Sequence, residues 1–140
     1  MTLKPSAERA SVPIEEILET VEGLIRRRRF LASSERELQI GIANMLRKEG
    51  IPFEDEKRLG ARDRLDFLVA GRLAMEVKRR REWSLASVRE QVERYLSHAS
   101  VEGLLLVASR AEMRELASAM DPRVLIHFAK PVHVVVPVTW

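Results

Sequence analysis

The sequence predicts an α/β domain, on three observations. Residues Leu65 to Val69 and Leu73 to Lys78 alternate between apolar and other side chains with the period of a β-strand. The run Gly103 to Ala108 is apolar throughout, as in a strand covered on both faces. Segments beginning near Ile14, Ser34 and Ser84 repeat apolar residues at the spacing of an amphipathic helix. With 140 residues, 46% hydrophobic content and only 6 Gly and 6 Pro, the chain fits one globular domain with a real core and has no room for a second full one. Residues 1–32 read as a polar arm plus a helix, preceding the main domain over 33–140.

The elements follow in order. "MTLKPSAERA" is polar and loose, and Ser11-Val12-Pro13 then marks a helix start. Ile14, Ile17, Leu18, Val21, Leu24 and Ile25 form an apolar stripe, and Arg26 to Arg29 close the helix. The plain account of that arginine run is a solvated end that complements the helix dipole, with phosphate binding as the alternative. A second helix begins at Ser34, where Glu37 three residues on makes a capping box. Leu38, Ile42, Met45 and Leu46 are its inner stripe, and Gly50 stops it. Glu35 falls on the same stripe, so it points toward the core from the first turn. A carboxylate there needs a partner, either a metal ion or Lys78, unless the first turn is exposed.

Pro52 to Lys57 reads as a polar-edged strand, and Leu59 to Arg64, containing Gly60, as the turn into the next. Leu85, Val88, Val92, Tyr95 and Leu96 make an amphipathic helix from Ser84. Beyond the apolar strand a helix covers Ala111 to Met120 and ends before Pro122. Val124 to Phe128 and Val132 to Val138 finish the sheet, with Pro131 and Pro137 suited to its edges.

The hairpin "RLDFLVAGRLAMEVK" carries the chemistry. One face holds Leu65, Phe67, Val69, Leu73, Met75 and Val77; the other holds Asp66, Leu68, Ala74, Glu76 and Lys78. A loop of three residues, Ala70-Gly71-Arg72, sets Asp66 opposite Glu76 and Leu68 opposite Ala74. Opposed Cβ atoms are only about 5 Å apart, and two carboxylates that close repel unless a cation joins them. The bland alternative is a solvated polar sheet face, and Asp55-Glu56-Lys57 shows how easily such a tripeptide arises in a chain that is 32% charged. Lys78 stands out because only five of the 24 Lys plus Arg are lysine, and three arginines follow it. A compact ammonium is wanted there.

Other chemistries fail on inventory. The chain has no cysteine, which removes disulfides and thiolate metal sites and points to a reducing compartment. His98, His127 and His133 are scattered, without the spacing of a zinc site. There is no Walker A loop and no recognisable Ser–His nucleophile arrangement. No apolar run reaches the length of a membrane span and no signal peptide begins the chain, so no membrane partner and a cytoplasmic location are expected. A net charge of +3 and a pI near 9.7 lean toward a polyanionic partner.

Helix, three strands, helix, strand, with an acidic residue on the helix and Asp, Glu and Lys on the middle hairpin: here the chain resembles the PD-(D/E)XK nuclease superfamily over about 33–110. Glu35 in "SERELQ", Asp66 in "RLDF", Glu76 and Lys78 in "MEVK", and Gln91 and Tyr95 in "REQVERY", a QxxxY element, carry the resemblance. Leu65 stands where a proline usually precedes the aspartate.

The resemblance implies a restriction-endonuclease-like αβββαβ core, a mixed sheet flanked by helices, with an added N-terminal helix. It implies Mg²⁺ or Mn²⁺ held by Asp66 and Glu76, with Glu35, or its neighbour Glu37, as the helix carboxylate and Val77 in the metal set. Lys78 would orient the attacking water or stabilise the transition state, and Gln91 and Tyr95 would face the site. Arg64, Arg79, Arg80 and Arg81 are the expected phosphate contacts. The function expected is a metal-dependent nuclease, an endonuclease or exonuclease, acting on DNA, with RNA left open; a homodimer would suit so small a domain. Two other readings stand beside it: a nucleic-acid-binding subunit with little hydrolysis, and an interaction protein whose N-terminal helix packs its stripe in trans.

Overall fold

A computed structural model describes residues 12–78, 84–119 and 129–140. Its elements are α1 (Ile14–Arg26), β1 (Arg29–Phe30), α2 (Glu35–Lys48), β2 (Phe53–Arg58), β3 (Arg64–Val69), β4 (Leu73–Lys78), α3 (Leu85–Leu96), β5 (Gly103–Ala108), α4 (Arg110–Ala119), β6 (Val132–Val135) and β7 (Val138–Thr139). A five-stranded mixed sheet runs β2-β3-β4-β5-β6, antiparallel from β2 to β4 and parallel from β4 to β6. The mixed α/β architecture expected from the sequence is present. Among the described residues, no helix is long and apolar enough to cross a membrane.

Strand alternation divides the core between two helical layers. Phe67, Val69, Leu73, Met75 and Val77 join Leu105, Val107 and the stripes of α1 and α2 in one cluster. Leu68, Ala74, Leu104 and Leu106 face Val88, Val92, Tyr95 and Leu96 of α3 and Leu116 of α4 in the other. All six residues of β5 are buried, which explains its unbroken apolar sequence. Fully burying a leucine contributes roughly 1.5–3 kcal/mol, so Leu104, Leu105 and Leu106 make β5 the anchor of both layers.

The stripe of α1 is covered in cis. Ile17, Leu18, Val21 and Ile25 are fully buried in the same cluster as the sheet, which corrects the idea that this helix offers its apolar face to a partner. The helix also ends earlier than its arginines suggest. Arg27 caps it, Arg28 pairs with Glu49 at 3.2 Å, and Arg29 has left for β1, its guanidinium 4.8 Å from the centre of the Trp140 ring. The chain turns there because Phe30 is buried and β1 pairs in parallel with β7, where the Trp140 N–H donates to the Phe30 carbonyl at 3.1 Å.

The single strand expected over Val132 to Val138 is two strands. β6 stops at Val135, and the chain reaches β7 through Val136 and Pro137, whose ring nitrogen has no N–H for a ladder. The strand expected over Val124 to Phe128 and the end of the helix at Met120 lie outside the described residues.

Two turns position the hairpin and α2. Ala70 (φ 54°) and Gly71 (φ 70°) are both left-handed, as in the primed turns that match strand twist, and the Arg72 N–H donates to the Val69 carbonyl at 3.0 Å. This three-residue loop produces the expected register, with Leu68 opposite Ala74 and Val69 opposite Leu73. At the start of α2 the Ser34 hydroxyl accepts the Glu37 N–H at 3.0 Å, but the Glu37 carboxylate turns back to Ser33, accepting its N–H and hydroxyl at 2.8 Å each. The capping box predicted for Ser34 is thus displaced by one residue on its return arm, because Ser33 offers two donors where Ser34 would offer one.

Candidate active site

The β3–β4 ladder ends at Phe67 opposite Met75. One step further, side chains replace main-chain pairing. The Asp66 N–H donates to Glu76 Oε1 at 2.8 Å, and the Val77 N–H donates to Asp66 Oδ2 at 2.8 Å. Each carboxyl is therefore fixed by a main-chain donor of the opposite strand, as the opposition of 66 and 76 leads one to expect.

The other side of β3 is irregular at the same point. Asp55 pairs with Phe67 and Lys57 with Leu65, while Glu56 between them is left-handed at φ 48°. Such a conformation costs a non-glycine residue on the order of 1 kcal/mol. The strict alternation read from the sequence also fails here. Leu65 packs with Leu68 in the α3-side cluster instead of with Phe67. Asp66 lines a cleft of about 220 Å³ with Arg36 and Gln39 of α2 and Asp55 and Glu56 of β2.

Glu76 is 4% exposed. Burial, reinforced by the charge of Asp66, pushes its carboxyl up to about 8, and Lys78 only partly opposes this. Burial also raises Asp66; the Val77 N–H and Lys78 work against it, while the charge of Glu35 adds to it. Lys78 Nζ lies 3.6 Å from Glu76 Oε2, with its side chain 15% exposed. Two carboxyls and one ammonium thus share a site, buried at Glu76 and partly open at Asp66 and Lys78, that has more capacity for negative charge than it can neutralise. A proton answers that deficit at neutral pH, and a cation would answer it better.

The donor set suits Mg²⁺ or Mn²⁺. Carboxylate oxygens are the hard ligands these ions take, and Mg²⁺ commonly uses one or two carboxylates, leaving other positions to water and phosphate oxygen. Among the described residues no group of three or more His, Cys, Asp and Glu is gathered closely enough to hold an ion. Glu35 acts on Asp66 through charge at this spacing. It is nonetheless the helix carboxylate near the site, because Glu37 is engaged with Ser33, whose N–H and hydroxyl hold its carboxyl below the usual range. Val77 has a buried apolar side chain and its N–H on Asp66, so only its carbonyl oxygen is left to join a metal set.

Gln91 and Tyr95 sit one turn apart on α3. Gln91 Nε2 donates to the Tyr95 hydroxyl at 2.9 Å, which donates to the Arg64 carbonyl at 3.0 Å. Tyr95 is 2% exposed, and burial together with the charges of Glu76 and Asp66 raises its phenol. The two residues hold the start of β3, two positions before Asp66, so in this geometry they position the strand. Arg64 itself is exposed. Arg79, Arg80 and Arg81 lie outside the described residues, as does His127. His98 and His133 pair with Asp63 and Glu22 respectively.

Sequence reasoning missed one group. Arg58, Arg62 and Arg94 gather around Arg64 in an open cleft that Tyr95 and Gln91 also line. A signal is present in "RLGARDR", three arginines within seven residues, although its glycine makes the segment read first as a turn.

Compared with known proteins, the chain matches no family model, no curated protein and no solved structure.

Proposed function

We propose that this chain is a metal-dependent nuclease with a restriction-endonuclease-like fold, hydrolysing phosphodiester bonds in DNA. The observation that carries the reading is the pairing of the buried Glu76 with the partly exposed Asp66, locked by main-chain N–H groups across the hairpin with Lys78 beside it. The order of helix, three antiparallel strands, helix and parallel strand supports the fold.

Asp66 and Glu76 would hold Mg²⁺ or Mn²⁺, with Glu35 and the Val77 carbonyl as further donors. Such an ion supplies water activation and neutralises charge on the phosphate. The chain's own groups do the rest. The main-chain bonds fix both carboxyls before substrate arrives, so little reorganisation remains at the moment of reaction. Lys78 offers a donor where negative charge grows on the phosphate in the transition state, which raises rate more than ground-state affinity. Tyr95 and Gln91 keep the start of β3 from shifting, so that Asp66 holds its place.

The test is a cleavage panel with labelled linear, circular, single-stranded and four-way DNA, each with Mg²⁺, Mn²⁺ or chelator. We expect cleavage with metal and none with chelator. Absence of cleavage on every substrate and metal would favour the second reading, a nucleic-acid-binding subunit with little hydrolysis. That reading has its own support in the arginine cleft, which can attract an anion without any metal.

A further inference from the structure

We propose that the cleft lined by Arg58, Arg62, Arg64 and Arg94 is a second phosphate subsite, one that grips a non-scissile phosphodiester of the strand being cut. The inference rests on the nuclease reading only for the identity of that strand.

The cleft is about 410 Å³, and Asp63 is the one carboxylate among its lining residues. Four guanidiniums against one carboxylate leave three net positive charges. Asp63 is already used: Arg94 Nε donates to its Oδ1 at 3.0 Å, and His98 Nε2 lies 3.1 Å from its Oδ2. It orients Arg94 and has little left for the others. Among the described residues, the side chains of Arg58, Arg62 and Arg64 have neither an ion-pair nor a hydrogen-bond partner. Arg58 and Arg64 are moreover direct register partners across β2 and β3. Like charges placed opposite each other on a sheet are destabilising. Gathering them here weakens the protein by itself, and an anion between them would reverse that loss.

Place decides which anion. The cleft is lined by Tyr95 and Gln91, which hold the start of the strand that carries Asp66, and Arg64 is two residues before Asp66. A strand whose phosphate meets Asp66 and Glu76 has its neighbouring phosphates within the next few ångströms of backbone, each carrying one charge. Arginine forks match phosphate oxygens in pairs. Arg58, Arg62 and Arg64 are all exposed, along the edge of an open cleft. That shape fits a diester running past better than an enclosed terminal phosphate.

The experiment is binding in chelator, by fluorescence anisotropy, of 20-nucleotide single-stranded and duplex DNA without terminal phosphates, across a salt series. The full chain is compared with the double variant Arg58→Gln/Arg62→Gln and with Lys48→Gln/Arg114→Gln, which removes the same charge at exposed positions of α2 and α4. We expect the cleft variant to bind at least about tenfold more weakly, with a slope of log affinity against log salt reduced by about 0.7 per lost contact on single strands and about 0.9 on duplex. The control variant should stay within about twofold of the unmodified chain. Equal losses in both variants, or none in either, would overturn the subsite. So would tight binding that appears only when a 5′-phosphate is added and vanishes in the cleft variant, because the ligand would then be a strand end. The two readings fail separately. Lost binding by the cleft variant in a protein that cleaves nothing keeps the subsite and removes the nuclease. Normal binding and cleavage by the cleft variant, with cleavage abolished by Asp66→Asn, removes the subsite and keeps the nuclease.

Discussion

Asp66→Asn and Glu76→Gln each reduce metal-dependent cleavage by roughly a thousandfold or more, while binding of DNA in chelator holds steady or tightens. Both changes keep the side-chain size and remove an anionic ligand. Asp66→Asn also removes a negative charge that repels the substrate phosphate, whereas Glu76 without metal holds a proton at neutral pH, so Glu76→Gln leaves that repulsion unchanged. The asparagine of the first variant would still offer a carbonyl oxygen to the Val77 N–H, so the hairpin survives. Lys78 adds a sharper expectation, since Lys78→Arg should lose nearly as much as Lys78→Ala, about 10²–10³-fold. Its ammonium sits 3.6 Å from Glu76 in a space that leaves the side chain only 15% exposed. A planar guanidinium does not fit that space without displacing water and phosphate oxygens. Single-turnover cleavage rates read all four variants. Normal rates for Lys78→Arg would mean that positive charge alone suffices there.

The metal-free protein is less stable at pH 8 than at pH 6, and a divalent cation reverses the trend. Glu76 has its carboxyl at about 8 in the folded chain against an ordinary value of 4.5. The folded state therefore holds a proton that the unfolded state has already released. This group's contribution is full below about pH 4.5 and is lost as pH rises through 8. Between pH 6 and pH 8 the change is on the order of 2 kcal/mol. Glu76→Gln stays neutral at every pH, so its thermal midpoint should vary far less with pH and exceed that of the parent at pH 8. Mn²⁺ should raise the parent's midpoint most at pH 8, where less proton must be displaced, and leave Glu76→Gln little changed. A parent whose stability rises between pH 6 and pH 8 without metal would mean that Glu76 is already ionised in the fold.

Much of this was legible because strand parity is an integer count. A loop of three residues between Val69 and Leu73 puts 66 opposite 76, whatever the details of the turn, and Leu68 does pair with Ala74. The helix from Ser84 and the buried strand at 103–108 announce themselves through a cap and an unbroken apolar run. What escaped depends on partners distant in sequence. A two-residue strand at Arg29–Phe30 has no periodicity, and its partner lies more than a hundred residues away at Val138–Thr139. The change of face at Leu65 falls where the Asp66 and Glu76 carboxyls take over the ladder, which no alternation pattern encodes. Arg94 reaches the "RLGARDR" turn through Asp63, thirty-one residues before it. Only the folded chain brings that charge cluster together.

That Asp66 and Glu76 share one divalent cation is tested most directly by calorimetric titration of the protein with Mn²⁺ at pH 7, in two buffers of different ionisation enthalpy, alongside Asp66→Asn and Glu76→Gln. We predict saturable binding at one site, the release of close to one proton as Glu76 ionises, and loss of that binding in each variant. No saturable binding, or a site that survives both substitutions, would contradict a shared cation.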